Sequence, residues 1–297
     1  MQQAIPSLED LRREIDEVDD AIHKLIMRRA GLVSQVAYVK GMRRGGKSPR
    51  FLRPAREAAV LRRLMAQHRG PFPKPALVRL WREIITAPFA LQGDFSVAVY
   101  APKEEPGYWD LARDHYGGSA PFTAFQTPGH VIAALVDGNA MVGVLPLIHD
   151  DDSDPWWRLL ANDGEQTPAI IARLPMAPSV NVRGEQLGAL AVARVAFEPT
   201  GRDHAYLAIE ADEEMSRASL RSQLTNVDLD ARVIAMWRAP DAAQQLYLLE
   251  ASHFVSEKDG RLAALLAAAG SKIRRVFFLG GYATPFAPEE LVPTAEG

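Results

Sequence analysis

The chain has 297 residues, 47% of them hydrophobic and 24% charged, a composition that fits a packed globular protein of two or three domains and excludes a disordered one. A formal net charge of −3 argues against a nucleic-acid partner, and the absence of cysteine excludes disulfides, thiolate nucleophiles and cysteine-ligated metal centres. No apolar run reaches the length of a membrane span and the first residues lack a signal-peptide pattern, so a cytoplasmic protein with no membrane partner is expected.

From Ser7 to about Met42 there is no proline and only Gly31 and Gly41, which predicts one long helix. Ser7 offers an N-cap, with Glu9 and Asp10 in the first turn. A helix of that length needs cover, so a coiled coil or intertwined dimer is expected. Steps of three and four trace one seam through Arg12, Ile15, Asp19, Ile22, Ile26, Arg29, Val33, Val36 and Lys40. A charge buried on such a seam costs several kcal/mol unless paired. Three cations stand against Asp19 alone, and the pattern points to a missing anion, a small polycarboxylate ligand. The competing reading is that each long stem lies on apolar surface with its charged head in water.

A second helix is predicted from Pro54 to about His68, with the proline at its first position. Glu57 shares a face with Leu61 and Leu64, so its carboxylate points where apolar side chains point and needs a cation or a hydroxyl. An ordinary surface pair with Arg53 or Arg56 is the alternative. After Gly70, Pro71 and Pro73, a third helix is expected from near Pro75 to Gln92, kinked at Pro88 and burying Leu77, Leu80, Trp81, Ile84 and Ile85. Gln92 falls on that same face and carries an amide donor. These three helices make a first unit, residues 1–93.

After Gly93 the pattern turns to alternating α/β. Strands are expected at Phe95 to Tyr100 and Met141 to Leu147, helices at Trp109 to His115 and Val131 to Asp137, and further strands at Ala169 to Leu174 and Leu190 to Phe197. From His204 the order strand, helix, strand, strand, helix, strand spells a ferredoxin-like βαββαβ unit. The expected division is 1–93, 94–200, 201–288 and a flexible tail at 289–297.

Two further patterns carry little. Gly41 to Ser48 satisfies the phosphate-loop spacing, but a long helix precedes it and Pro49 follows, so a flexible cationic loop is the better account. His149 with Asp150 to Asp154 lacks the glycine and closing carboxylate of a calcium loop, and no metal site is expected. Glu250 and His253, three apart in a strand, receive no role.

The pieces L-R-R-E-I-D at Leu11 to Asp16, Arg28-Arg29, Lys40, R-P-A-R-E at Arg53 to Glu57, and Gln92 stand in one order and spacing. In these the first unit resembles the all-helical (AroQ-type) chorismate mutases, the type fused to prephenate dehydratase. The resemblance implies an intertwined homodimer with sites shared between chains and chorismate and prephenate as ligands. It implies Arg12 from the second chain on one carboxylate and Arg29 on the other, with Lys40 reaching a carboxylate and the ether oxygen. Glu57 would accept from the ring hydroxyl, Arg56 steady that segment, Arg53 line the site by its main chain, and Gln92 donate to the ether oxygen. No cofactor is implied. Pro88 departs from the family, standing where a serine usually holds a substrate carboxylate.

More faintly, V-G-V-L-P-L-I at Val142 to Ile148 and L-G-G-Y-A-T-P at Leu279 to Pro285 resemble the dehydratase and its ACT-like regulatory domain. The dehydratase Thr-Arg-Phe appears as Ala193-Arg194-Val195, and the phenylalanine signature as A-M-W-R-A near Ala235 to Ala239. The span Leu145 to Ala193 is short for the second lobe. The expectation is a chorismate mutase with a truncated, inactive dehydratase-like extension. A bifunctional enzyme and a non-catalytic ligand sensor or partner-binding protein are the alternatives.

Overall fold

A computed structural model describes residues 7–44, 51–91, 95–152, 155–164, 166–178, 187–238 and 244–292, without the side chains at 37, 40–44, 90 and 91. Helix α1 (Leu8–Arg44) spans 37 residues. Ser7 caps it, its hydroxyl oxygen accepting from the Asp10 backbone N–H at 3.1 Å. The seam splits along its length. Ile15, Ile22 and Val36 are exposed, whereas Ile26, Arg29 and Val33 are partly covered.

Helices α2 (Pro54–Gln67) and α3 (Lys74–Thr86) both begin with proline in the first turn. The third helix stops at Thr86, and Ala87–Leu91 tightens to a 3-10 turn around Pro88, whose ring cannot continue the α pattern. The face of α3 also differs from expectation. Lys74, Val78, Arg82 and Ile85 are buried, while Leu80 is 46% exposed. Both sides of this helix are apolar, and the C-terminal part of the chain covers the side that carries the two cations. Ala58, Leu61, Met65 and Val78 share a core with Met176, Phe286 and Leu291. A second shared core stacks Phe51, Phe89, Phe95 and Tyr116 with ring centroids 5.1 to 6.3 Å apart. The helical pair α2–α3 is therefore packed onto the α/β part.

That part is built on one nine-stranded sheet in the order β2-β1-β3-β5-β4-β9-β6-β8-β7. Strands β1 (Val97–Tyr100), β2 (Phe122–Phe125) and β3 (Val142–Pro146) are parallel, joined by α4 (Gly107–Tyr116) and α5 (Pro128–Val136). Strands β4 (Ala169–Leu174) and β5 (Ala189–Ala193) continue it antiparallel. The last unit is β6 (Asp203–Asp212), α6 (Arg217–Asn226), β7 (Ala231–Arg238), β8 (Gln244–Ala251), α7 (Gly260–Ala269) and β9 (Ile273–Ala283). Its strand order β9-β6-β8-β7 is the ferredoxin-like arrangement expected from the sequence.

The two parts of the sheet meet at one residue pair, Ile170 with Gly280. Gly280 has φ +105°, and a β-carbon there would collide with the Ile170 carbonyl oxygen. Only glycine lets β9 lie against β4. Residues 289–292, read as tail, are packed: Leu291 is buried, and Lys74 Nζ donates to the Glu290 and Val292 carbonyls at 3.1 Å each. Among the described residues, no helix is long and apolar enough to cross a membrane.

Candidate functional site

The predicted site residues that the structure describes lie on α1 and α2, with Arg53 at the N-cap of α2. Arg12 is exposed on the first third of α1. Arg29, at the covered middle of α1, donates from Nη1 to the Ile84 carbonyl at 2.5 Å. Burial pushes its guanidinium below the ordinary value. The side chain of Lys40, the residue Gln92 and the part of the Gly41–Ser48 loop beyond Arg44 lie outside the described residues.

Arg53 is exposed and forms an ion pair with Glu198, Nη2 to Oε2 at 2.9 Å. Arg56 is exposed. Glu57 is buried, 6% exposed, and its Oε2 accepts from Arg82 Nη1 at 2.8 Å. The other oxygen, Oε1, is buried without a partner, as is Arg82 Nε. Burial pushes the Glu57 carboxyl up, with Arg82 opposing, and pushes Arg82 down, with Glu57 opposing. Glu57 thus meets α3 at Arg82, and Arg29 meets it at Ile84. Two residues along a helix turn through roughly 200°, so within one chain the two approach opposite sides of α3. Among the described residues, no ion pair joins any two of Arg12, Arg29, Arg53, Arg56 and Glu57, although a hydrogen bond from the Arg53 backbone also opposes the upward push on the Glu57 carboxyl.

A second polar cluster escaped the sequence reading. Glu250, 4% exposed, accepts from Tyr282 Oη at 2.6 Å and from Arg232 Nη2 at 2.6 Å. Arg173 Nη1 donates to the same Tyr282 hydroxyl at 3.2 Å, and His204 stacks on the Tyr282 ring at 4.9 Å. Burial alone would push the Glu250 carboxyl up, but the bonds from Tyr282 and Arg232 outweigh it and hold it below the ordinary value. The partners come from β4, β6, β7 and β9. Their sequence separations hide the constellation, and the only local signal was a glutamate inside an apolar strand.

Together these features define a helical unit, cationic on an open apolar face, joined through a shared core to an α/β unit and a ferredoxin-like unit. Residues 11–93 match the family model for chorismate mutase type II. A bifunctional chorismate mutase/prephenate dehydratase from Pseudomonas aeruginosa is 34% identical over 141 residues, 47% of this chain and 38% of that relative. The chain therefore spans well under half of the matched relative's length. Among solved structures, a prephenate dehydratase from Arthrobacter aurescens in complex with L-Phe overlays with a TM-score of 0.45 and 13% identity, covering 66% of this chain and 94% of that one. A quorum-quenching acylase, GqqA, overlays with a TM-score of 0.46 and 13% identity, covering 68% of this chain and all of that one.

Proposed function

We propose that the chain is a chorismate mutase acting as an intertwined homodimer, each site drawing Arg12 from the second copy. The observation that carries the proposal is the open face of α1. Leu11, Ile15, Val18, Ile22 and Leu25 are all more than 40% exposed, on a helix that also carries Arg12 and Arg29 and matches the mutase family. An exposed apolar stripe of that length calls for a partner helix, and a second α1 presents the complementary seam.

The rearrangement of chorismate to prephenate is unimolecular, so it requires no nucleophile. The chain's task is to hold the dianion in its compact reactive conformer and to stabilise charge on the ether oxygen as the carbon–oxygen bond breaks. Arg12 and Arg29 take the two carboxylates, and Lys40 and Gln92 serve the ether oxygen. Arg53 and Arg56 support the segment that leads into α2. Glu57 enters through the resemblance alone, since its neighbour within one chain is Arg82. The remainder is an extension without dehydratase chemistry: at the position of the family's threonine, Ala193 is a fully buried β5 residue with no hydroxyl to offer.

Complementation tests the shared site. Arg12→Ala and Arg29→Ala should each be inactive alone. Subunits refolded or co-expressed together should regain about a quarter of wild-type turnover, because half the dimers are mixed and each mixed dimer has one intact site. Mixtures that stay inactive contradict the sharing of sites between chains.

A further inference from the structure

The buried side of α3 adjoins a cavity that none of the residues assigned to chorismate lines. It measures about 370 Å3 and lies between α3, α4 and Pro175–Pro178, the segment that follows β4. That volume is within the range of small-molecule sites. Its walls are apolar, with buried Val78, Leu111 and Met176. At the rim, Arg79 is already neutralised by Asp114 at 2.8 Å. The inner end is polar and is formed by Arg82 and His115, each 5% exposed.

These two groups are poorly matched by the protein around them. Arg82 gives one N–H to Glu57, which occupies a single edge of the guanidinium, and its Nε has no partner. Among the described residues, neither ring nitrogen of His115 has a hydrogen-bond partner. Burial, and then Arg82, hold the imidazole well below its ordinary pKa, so it is neutral and presents one N–H and one acceptor. A further cavity behind Arg82 and His115, of about 20 Å3, is too small for anything larger than water.

We propose that the cavity between α3 and α4 binds a small monocarboxylate with an apolar, ring-sized body, the carboxylate seated on Arg82 and His115. A carboxylate accepts from both donors at once, and charge-assisted bonds of this kind are the strong ones. A cation would face the Arg82 charge, and a wholly apolar guest would leave buried donors unmatched. The body rests on Val78, Leu111 and Met176. Because α3 belongs to the mutase-like unit and α4 to the α/β unit, the ligand touches both.

The test is titration calorimetry of the full chain with 3-phenylpropionate beside 3-phenylpropanol, which matches the body without the charge. One site is expected for the acid, with the alcohol weaker by roughly tenfold or more. Ala76→Phe, which fills the exposed mouth, and His115→Phe, which keeps a ring but removes the N–H, should each weaken the acid by about tenfold while the melting temperature reports that the chain is folded. Absence of heat with the acid, equal affinity for the alcohol, or unchanged affinity in both variants would overturn the proposal.

Discussion

Helices α1 and α3 carry the same sequence signature and use it oppositely. Each places cations on an apolar stripe. On α3 the cations are buried and answered within the chain: Arg82 by Glu57 at 2.8 Å, Lys74 by two carbonyls of the C-terminal turn. On α1 most of the apolar residues are exposed, and among the described residues Arg29 donates to the Ile84 carbonyl alone. A cation on a greasy face therefore says that a partner exists, and only the tertiary structure says whether that partner is the same chain. On α3 the same chain answers Lys74 and one edge of Arg82. On α1 the chain leaves the position open, as the proposed dimer with its dianionic substrate would require.

The contrast can be broken at several points. The largest effect is expected from Arg82→Met, which strands the Glu57 carboxylate in the core and should cost about 3–5 kcal/mol in a urea melt. The double variant Glu57→Leu, Arg82→Met should recover most of that loss, because an apolar pair of similar volume needs no desolvation. Recovery would mark this pair as structural, whereas an unchanged loss would mean the pair holds the fold in some other way. On α1 the opposite outcome is expected. Lys40→Ala should leave the melt nearly unchanged and lower turnover by roughly a hundredfold, about 3 kcal/mol of transition-state stabilisation.

Lys74→Ala sharpens the α3 side more gently. It frees the Glu290 and Val292 carbonyls and should cost about 1–2 kcal/mol, seen as a lower melting temperature. The smallest effect concerns pH. Arg202 holds the Glu290 carboxyl down, from its usual 4.5 to about 2. A depressed carboxyl stabilises the fold above its unfolded value, so this contribution is complete above pH 4.5 and disappears as the pH falls toward 2. Because Arg202 is half exposed and solvent screens the pair, the loss should be at most about 1 kcal/mol. Glu290→Gln should flatten that acid limb in a pH series of melts.

Much of this was legible in the sequence wherever the information is local. The strand Ala169–Leu174 and the helix Gly260–Ala269 follow from periodicity and capping, and the βαββαβ order needs only their succession. Strand β2 was missed because it is a four-residue edge strand whose half-exposed residues show no clean alternation. The face of α3 was misread because both its sides are apolar, and only the packing of Met176, Phe286 and Leu291 against it decides which is buried. Glu57 was correctly read as a carboxylate needing a cation or hydroxyl. Arg82, which answers it, was not singled out, since nothing in the spacing from 57 to 82 reveals that α2 and α3 meet there.

The account stands most directly on whether the open face of α1 performs chemistry. The purified 297-residue chain should be given chorismate, with consumption followed by ultraviolet absorbance, the product separated into prephenate and phenylpyruvate, and Arg29→Ala run beside it. The account predicts prephenate from the wild type, no enzymatic phenylpyruvate, and turnover nearly lost in the variant despite an unchanged melt. Chorismate left unconsumed by the wild type, or equal turnover by Arg29→Ala, would contradict it.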